Sequence, residues 1–201
     1  MSDGRRIRLE TARLGDLHLT VALEVDDDLE ARLGAEEERS AARARALRYL
    51  ETRERSSGEV IQRLRRYGYG EPLVGDTLEW LHGLGYVDDR RFAEWFARAQ
   101  SRSAWGARRL REELRRKGVS RPIIEETVLA FSAATQGTGG GVEDLVAQVE
   151  RRFSRELTTD RERAERRITG YLGRRGHDWE TIRRVLAQLP LPTGLTDGGD
   201  K

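Results

Sequence analysis

Leu110-Arg111-Glu112-Glu113-Leu114-Arg115-Arg116-Lys117-Gly118-Val119-Ser120-Arg121-Pro122-Ile123-Ile124 holds the pattern on which the fold rests. Leu110 and Leu114 are four residues apart, a spacing that puts both side chains on one face of a helix. Gly118 stands just past the last turn of that face, where glycine takes a left-handed backbone that strains other residues. Ile124, Val128 and Phe131 follow Gly118 by six, ten and thirteen residues and make the apolar stripe of a second helix. The stretch predicts helix, glycine stop, helix.

The same frame occurs three times. Gly68, Gly118 and Gly176 are each preceded at four residues by a leucine (Leu64, Leu114, Leu172) and at eight by Val60, Leu110 or Ile168. The downstream stripe recurs as Val74, Leu78 and Leu81, and again as Ile182, Leu186 and Leu189. A further helix fits ahead of each pair, at about Ala41–Glu51, Asp88–Arg102 and Val142–Arg155. Asp88 is the N-cap candidate of the second, with Phe92, Trp95 and Phe96 on one side. The expected fold class is all-α, with three tandem three-helix units in an elongated array and a short N-terminal β-hairpin.

That hairpin is read from period-two alternation. Leu17, Leu19, Val21, Leu23 and Val25 alternate with polar or small residues, Arg6–Glu10 alternates likewise, and Gly15-Asp16 supplies a turn. The hairpin is placed at roughly 5–26, closed by the acidic turn Asp26-Asp27-Asp28. The expected organisation is a hairpin and connector at 1–35, repeats at 36–87, 88–134 and 142–190, a glycine-rich linker at 135–141 and a flexible tail at 191–201. The glycine spacings are 50 and 58 residues, and the excess falls at Gln136-Gly137-Thr138-Gly139-Gly140-Gly141. No Gly-Lys-Ser/Thr follows that run and no strand precedes it, so it reads as a linker, not a phosphate loop.

Composition narrows the function. Charged residues make up 36% of the 201 residues and hydrophobic residues 37%. So charged a chain suits thin helical layers better than one thick core. There is no cysteine, which excludes disulfides, thiol catalysis and cysteine-ligated zinc. His18, His82 and His177 are scattered without metal-ligand spacing, and no nucleophile–base pair or cofactor motif is visible. The chain is expected to be a non-enzymatic, cofactor-free, soluble intracellular monomer.

Net charge is only +2, but Ser101–Ile123 holds eight bases against two acids. Nearly every base is arginine; the lysines are Lys117 and Lys201. Guanidinium forks suit phosphates and carboxylates alike, so a nucleic acid or an acidic protein is the expected partner. A GC-rich genome would give the same arginine bias without a functional cause. On the helix around Ala107–Lys117, with Leu110 and Leu114 inward, Arg108, Arg111 and Arg115 fall in one outward stripe. Arg109, Glu113 and Arg116 lie on the flanks, where intrahelical ion pairs account for them. Repeat offsets carry the stripe to Gly58, Ile61 and Arg65 in the first unit and to Arg166, Thr169 and Gly173 in the third. The candidate contact set is Arg108, Arg111, Arg115, Arg116 and Lys117, with Arg65, Arg66 and Arg166 outside the middle unit. A solvated face without a partner is the plain alternative. Asp88 and Asp89 read as helix-start residues, not as a catalytic pair. The four tryptophans read as core, Trp105 least securely.

The order of segments resembles the RecX family. Ala46-Leu47-Arg48-Tyr49-Leu50, Arg53-Glu54-Arg55-Ser56 and Glu59-Val60 with Leu64 resemble that family's opening repeat. Gly85-Tyr86-Val87-Asp88-Asp89-Arg90-Arg91-Phe92-Ala93 resembles its acidic-pair segment. Trp105-Gly106, Arg109-Leu110, Glu113-Leu114 and Lys117-Gly118-Val119 are similar to its central helix, and Tyr171-Leu172 with Arg174-Arg175-Gly176 to its third repeat. His177 stands where an aromatic is usual, and Gly106 where a basic residue is common. The resemblance, over about residues 40–189, implies a modulator, mainly an inhibitor, of the RecA recombinase. It implies a protein lying in the groove of the RecA filament on single-stranded DNA, limiting filament extension, strand exchange and the coprotease activity of the SOS response. Two other readings stay open. Helix–glycine–helix units also build stand-alone helix-turn-helix DNA-binding proteins, and an adaptor without nucleic-acid contact would use its charges only for solubility.

Overall fold

The structure is a computed structural model, and it describes residues 26–100, 104–137 and 141–190. Its described residues form ten helices: α1 (Asp27–Leu50), α2 (Ser57–Arg66), α3 (Glu71–Gly83), α4 (Asp89–Gln100), α5 (Ala107–Arg116), α6 (Arg121–Gly137), α7 (Gly141–Arg152), α8 (Glu156–Thr159), α9 (Arg161–Arg174) and α10 (Trp179–Gln188). The chain divides into two compact units, Met1–Asp88 and Asp89–Lys201.

The expected fold class needs correction at its N-terminal end. No strand occurs among the described residues, and the expected hairpin at 5–26 is not seen; all but its last residue lie outside them. Asp26-Asp27-Asp28 does not close a hairpin. The Asp26 side chain accepts a 2.7 Å hydrogen bond from the Leu29 amide and caps α1, whose first turn carries Asp27, Asp28 and Glu30. Aspartate is favoured both in turns and at helix N-termini, where it satisfies orphan amides and offsets the helix dipole. The second use applies here, so the first helix starts at Asp27 instead of near Ala41 and runs 24 residues.

In Met1–Asp88, α1 packs on α2 and α3. Ala46, Val60, Leu64, Val74, Leu81 and Val87 form the buried core. Ser56 and Glu59 form a reciprocal capping box at the start of α2. In Asp89–Lys201, α6 lies against α4 and α5, and α10 against α7 and α9. One core gathers Phe92, Phe96, Leu110, Leu114, Ile124, Val128 and Phe131, and another Leu145, Val149, Ile168, Leu172, Ile182 and Val185. The third three-helix group contains the additional short helix α8.

Gly68, Gly118 and Gly176 have φ of 87°, 75° and 85°. At each, the amide of the next residue donates back to the leucine carbonyl: Tyr69 to Leu64 (3.4 Å), Val119 to Leu114 (3.2 Å) and His177 to Leu172 (3.2 Å). The glycine amides bond the carbonyls of Arg65, Arg115 and Gly173 at 3.0 Å. These paired bonds satisfy carbonyls that a helix end leaves orphaned and fix the direction in which the chain leaves. Two bidentate ion pairs brace the bend from outside. Arg65 reaches from α2 to Glu71 at 2.7 Å through both nitrogens, and Arg111 from α5 to Glu125 at 2.9 and 3.0 Å. Both carboxyls are held below their ordinary range, chiefly by the arginine hydrogen bond.

Within Asp89–Lys201, the start of α5 docks on the end of α9. The Gly106 amide donates to the Arg175 carbonyl (2.8 Å) and the Arg108 amide to the Gly176 carbonyl (3.2 Å). Gly106, at φ −90°, offers no side-chain cap to α5, so the carbonyl of Gly176 takes over capping of its first turn. A Cβ at Gly106 would collide with the Gly176 carbonyl and the His177 amide, and one at Gly176 would lie 2.7 Å from Arg109 Cβ. By contrast, no atom lies within 4 Å of a Cβ built on Gly68.

Substituting Gly68 by Ala therefore costs only the left-handed backbone, about 1–2 kcal/mol of unfolding free energy. Gly106→Ala leaves the backbone region allowed but separates α5 from α9, and hydrogen exchange should quicken at the Arg108 amide in this variant alone. Glu125→Gln should destabilise the protein in urea titrations at pH 7. Because the folded carboxyl titrates below its unfolded value, that stabilisation is present above the ordinary carboxyl range and lost as pH falls through the lowered one. Wild type and variant should converge once the pH has fallen below that lowered range.

Candidate interaction surfaces

Helix α5 has the two faces its sequence predicts. Leu110 and Leu114 are fully buried, and Arg108, Arg111 and Arg115 are exposed. The stripe is less cationic than its residue count suggests. Arg111 is spent on Glu125, Arg115 bonds Glu112 at 2.9 Å, and Arg116 bonds Glu113 at 3.1 Å and approaches Glu112 at 3.6 Å. Arg108 has no ion-pair partner among the described residues. Lys117 lies over the Phe96 ring at 5.2 Å and Arg109 over Trp105 at 4.3 Å. Beyond the middle group, Arg65 is tied to Glu71 and Arg166 to Glu162 (3.3 Å), while Arg66 is exposed.

Arg108 and Arg111 line a cleft of about 530 Å³ between the α4–α6 and α7–α10 groups, opposite His177, Trp179 and Arg184. Trp179 opens α10 and is 64% exposed, whereas Trp80, Trp95 and Trp105 pack against cores. The expectation of four core tryptophans thus fails at Trp179, which precedes the inward stripe begun by Ile182. His177 Nε2 lies 2.9 Å from the Ala104 carbonyl, and burial pushes its pKa down, which favours the neutral ring that donates this bond. Ala104 is a non-glycine residue at φ 51° and joins the α7–α10 core.

A further group of arginines lies elsewhere. In Met1–Asp88 a cleft of about 320 Å³ between α1 and α2 is lined by Arg45, Arg48, Arg55, Arg63, Tyr49, Tyr67 and Thr52. Among the described residues, no carboxylate lines it. Sequence reasoning missed this group, although Arg45, Arg48, Tyr49 and Thr52 carry the i, i+3, i+4, i+7 spacing of one helix face. A related cleft of about 600 Å³ lies between α7 and α9, where Arg152, Arg166, Arg167 and Arg174 surround Phe153 and Tyr171. There, two arginines are already paired, Arg166 with Glu162 and Arg167 with Glu156.

No group of three or more His, Cys, Asp or Glu side chains among the described residues is placed to hold a metal ion. No described helix is long and apolar enough to cross a membrane.

Family models for the first, second and third three-helix domains of RecX match residues 42–81, 88–128 and 142–186 in that order. The regulatory protein RecX of Prosthecochloris aestuarii is 33% identical over 146 residues, covering 72% of this chain and 91% of its own length. That of Mycobacterium sp. (strain KMS) is 36% identical over 142 residues, with 68% and 74% covered. Among solved structures, a regulatory protein RecX superposes with a TM-score of 0.74 at 20% identity, covering 90% of this chain and 87% of that one. RecX from Lactobacillus salivarius superposes at 0.66 and 21% identity, covering 76% and 97%. These two likenesses speak for the fold; the sequence relatives and the ordered domain matches carry the assignment. The chain belongs to the RecX family of regulatory proteins.

Proposed function

We propose that this protein modulates a RecA recombinase, mainly as an inhibitor, by lying in the groove of the RecA filament on single-stranded DNA. It limits filament extension, strand exchange and SOS coprotease activity, and so acts in homologous recombination and DNA repair. The observation that carries this reading is the ordered match to all three RecX domains together with relatives named as regulatory proteins. Arginine-rich, aromatic-buttressed clefts and an exposed α5 face supply surfaces suited to a filament of protein and nucleic acid. The regulator acts by binding, as a cytoplasmic monomer without a cofactor. Segments 36–87, 88–134 and 142–190 serve as repeats of one unit, with Arg108, Arg111, Arg115, Arg116 and Lys117 contacting the filament and Arg65, Arg66 and Arg166 supporting them.

Cosedimentation with RecA filaments tests this, paired with strand-exchange and ATPase assays. Stoichiometric protein in low salt should pellet with the filament and depress both activities. Replacing Arg108, Arg111 and Arg115 together by Gln should weaken pelleting by about tenfold, roughly 1.4 kcal/mol. Pelleting and activities untouched by the wild-type protein would sink the reading. Tight binding to one duplex sequence over random duplexes, without RecA, would favour the stand-alone helix-turn-helix alternative.

A further inference from the structure

We propose that the cleft between α1 and α2 is a phosphate site that grips the backbone of a nucleic-acid strand without reading its bases. Four guanidiniums converge there from three segments: Arg45 and Arg48 from α1, Arg55 from the turn before α2, and Arg63 from α2 itself. Among the described residues, none is paired with a carboxylate. Arg65, Arg53 and Arg111, outside the cleft, each hold a glutamate through two nitrogens. Those three arginines carry their own counter-ion, and among the described residues the four in the cleft do not.

The four are positioned by other means. Arg55 donates to the Tyr49 carbonyl (3.3 Å) and the Thr52 hydroxyl (2.9 Å), and its guanidinium lies 4.1 Å from the Tyr49 ring centre. Arg63 lies between the two rings, 5.3 Å from Tyr49 and 5.0 Å from Tyr67, and Arg45 is 4.5 Å from Tyr67. The Arg63 Nε is buried and has no hydrogen-bond partner. A buried charged donor left unpaired is unfavourable, and so is the mutual repulsion of four cations. Both penalties fall away when an oxyanion enters.

The geometry favours phosphate over carboxylate. A carboxylate presents its acceptors in one plane and suits a single fork, as at Glu71 and Glu125. Donors approaching from three segments match oxygens that point in non-coplanar directions, as in a phosphodiester. The two tyrosines do not serve as base-stacking platforms, because each already lies under two guanidiniums within 5.3 Å. Binding is therefore indifferent to base identity. The site goes beyond the regulatory reading and needs no recombinase.

The test uses the full chain alone, with a fluorescein-labelled thirty-nucleotide dT strand and a matching abasic strand, read by anisotropy across a salt series. The exposed pair Arg45→Gln/Arg48→Gln should keep the wild-type helical signal and melting temperature. It should bind the strand about tenfold more weakly, with a salt slope shallower by about 1.4, the value for two lost single-strand phosphate contacts. Arg63→Gln should weaken binding further. Exposed, paired arginines outside the proposed contact set serve as control: Arg98→Gln/Arg161→Gln, which bond Glu94 and Glu165, should change affinity less than threefold. Equal affinity for the dT and abasic strands is expected, and a marked preference for dT would overturn the backbone-only assignment. Unchanged affinity and slope in the Arg45/Arg48 variant would overturn the site. Displacement of the strand by a poly-glutamate peptide at equal charge would make it an acidic-peptide site. Displacement by sub-millimolar inorganic phosphate would make it a small-anion site. Either displacement refutes the proposal while leaving filament binding to be judged by its own assay.

Discussion

A helix that must end and reverse within three residues leaves carbonyls without partners, and this protein meets that constraint the same way at each repeat. The left-handed glycine lets two amides fold back onto the last turn, and the leucine accepting the outer bond is buried in the core of its own group. Stop and core are therefore one device. Shift the glycine by one residue and the leucine four positions earlier rotates off the core face by about 100°. The bend between second and third helices, on which each group's packing depends, is set by this coupling.

The device is used a second time in Asp89–Lys201. The carbonyl of Gly176, free because the chain has turned away, becomes the cap of α5. Two helix termini, each short of partners, satisfy one another, and the C-terminal end of α9 meets the N-terminal end of α5 with favourable dipole alignment. Backbone-to-backbone docking at this separation tolerates no side chain, which is why Gly106 is glycine although its own φ of −90° would suit any residue.

Much of this was legible in the sequence, because a glycine stop flanked by apolar residues at fixed offsets is a local code. Leu64, Leu114 and Leu172 could be placed before any coordinates. What was not legible depended on competition or on distance. Asp26–Asp28 can make a turn or start a helix, and only the residues after them decide; here the Leu29 amide takes the Asp26 cap and the Leu29 side chain is buried. The α5 stripe was found from periodicity, but periodicity is blind to Glu125 on the next helix, fourteen residues from Arg111. Counting bases therefore overstated the charge of the middle group and passed over the α1–α2 cleft, where fewer arginines stand free of carboxylates. Net charge along a helix is a poor guide to field when a neighbouring helix supplies the counter-ions.

Gly106 and His177, seventy-one positions apart, meet at one point. In the structure, the space a Cβ at 106 would need is filled by the His177 amide and the Gly176 carbonyl, and the His177 ring bonds the Ala104 carbonyl two residues before Gly106. The absence of a side chain at 106 lets α9 approach, and an imidazole, unlike a phenyl ring, supplies the N–H that the Ala104 carbonyl accepts. Ala104 is held at a left-handed φ at this contact, so the bond also offsets local strain in the segment leading into α5. The junction works as one unit, with the same glycine frame at its centre.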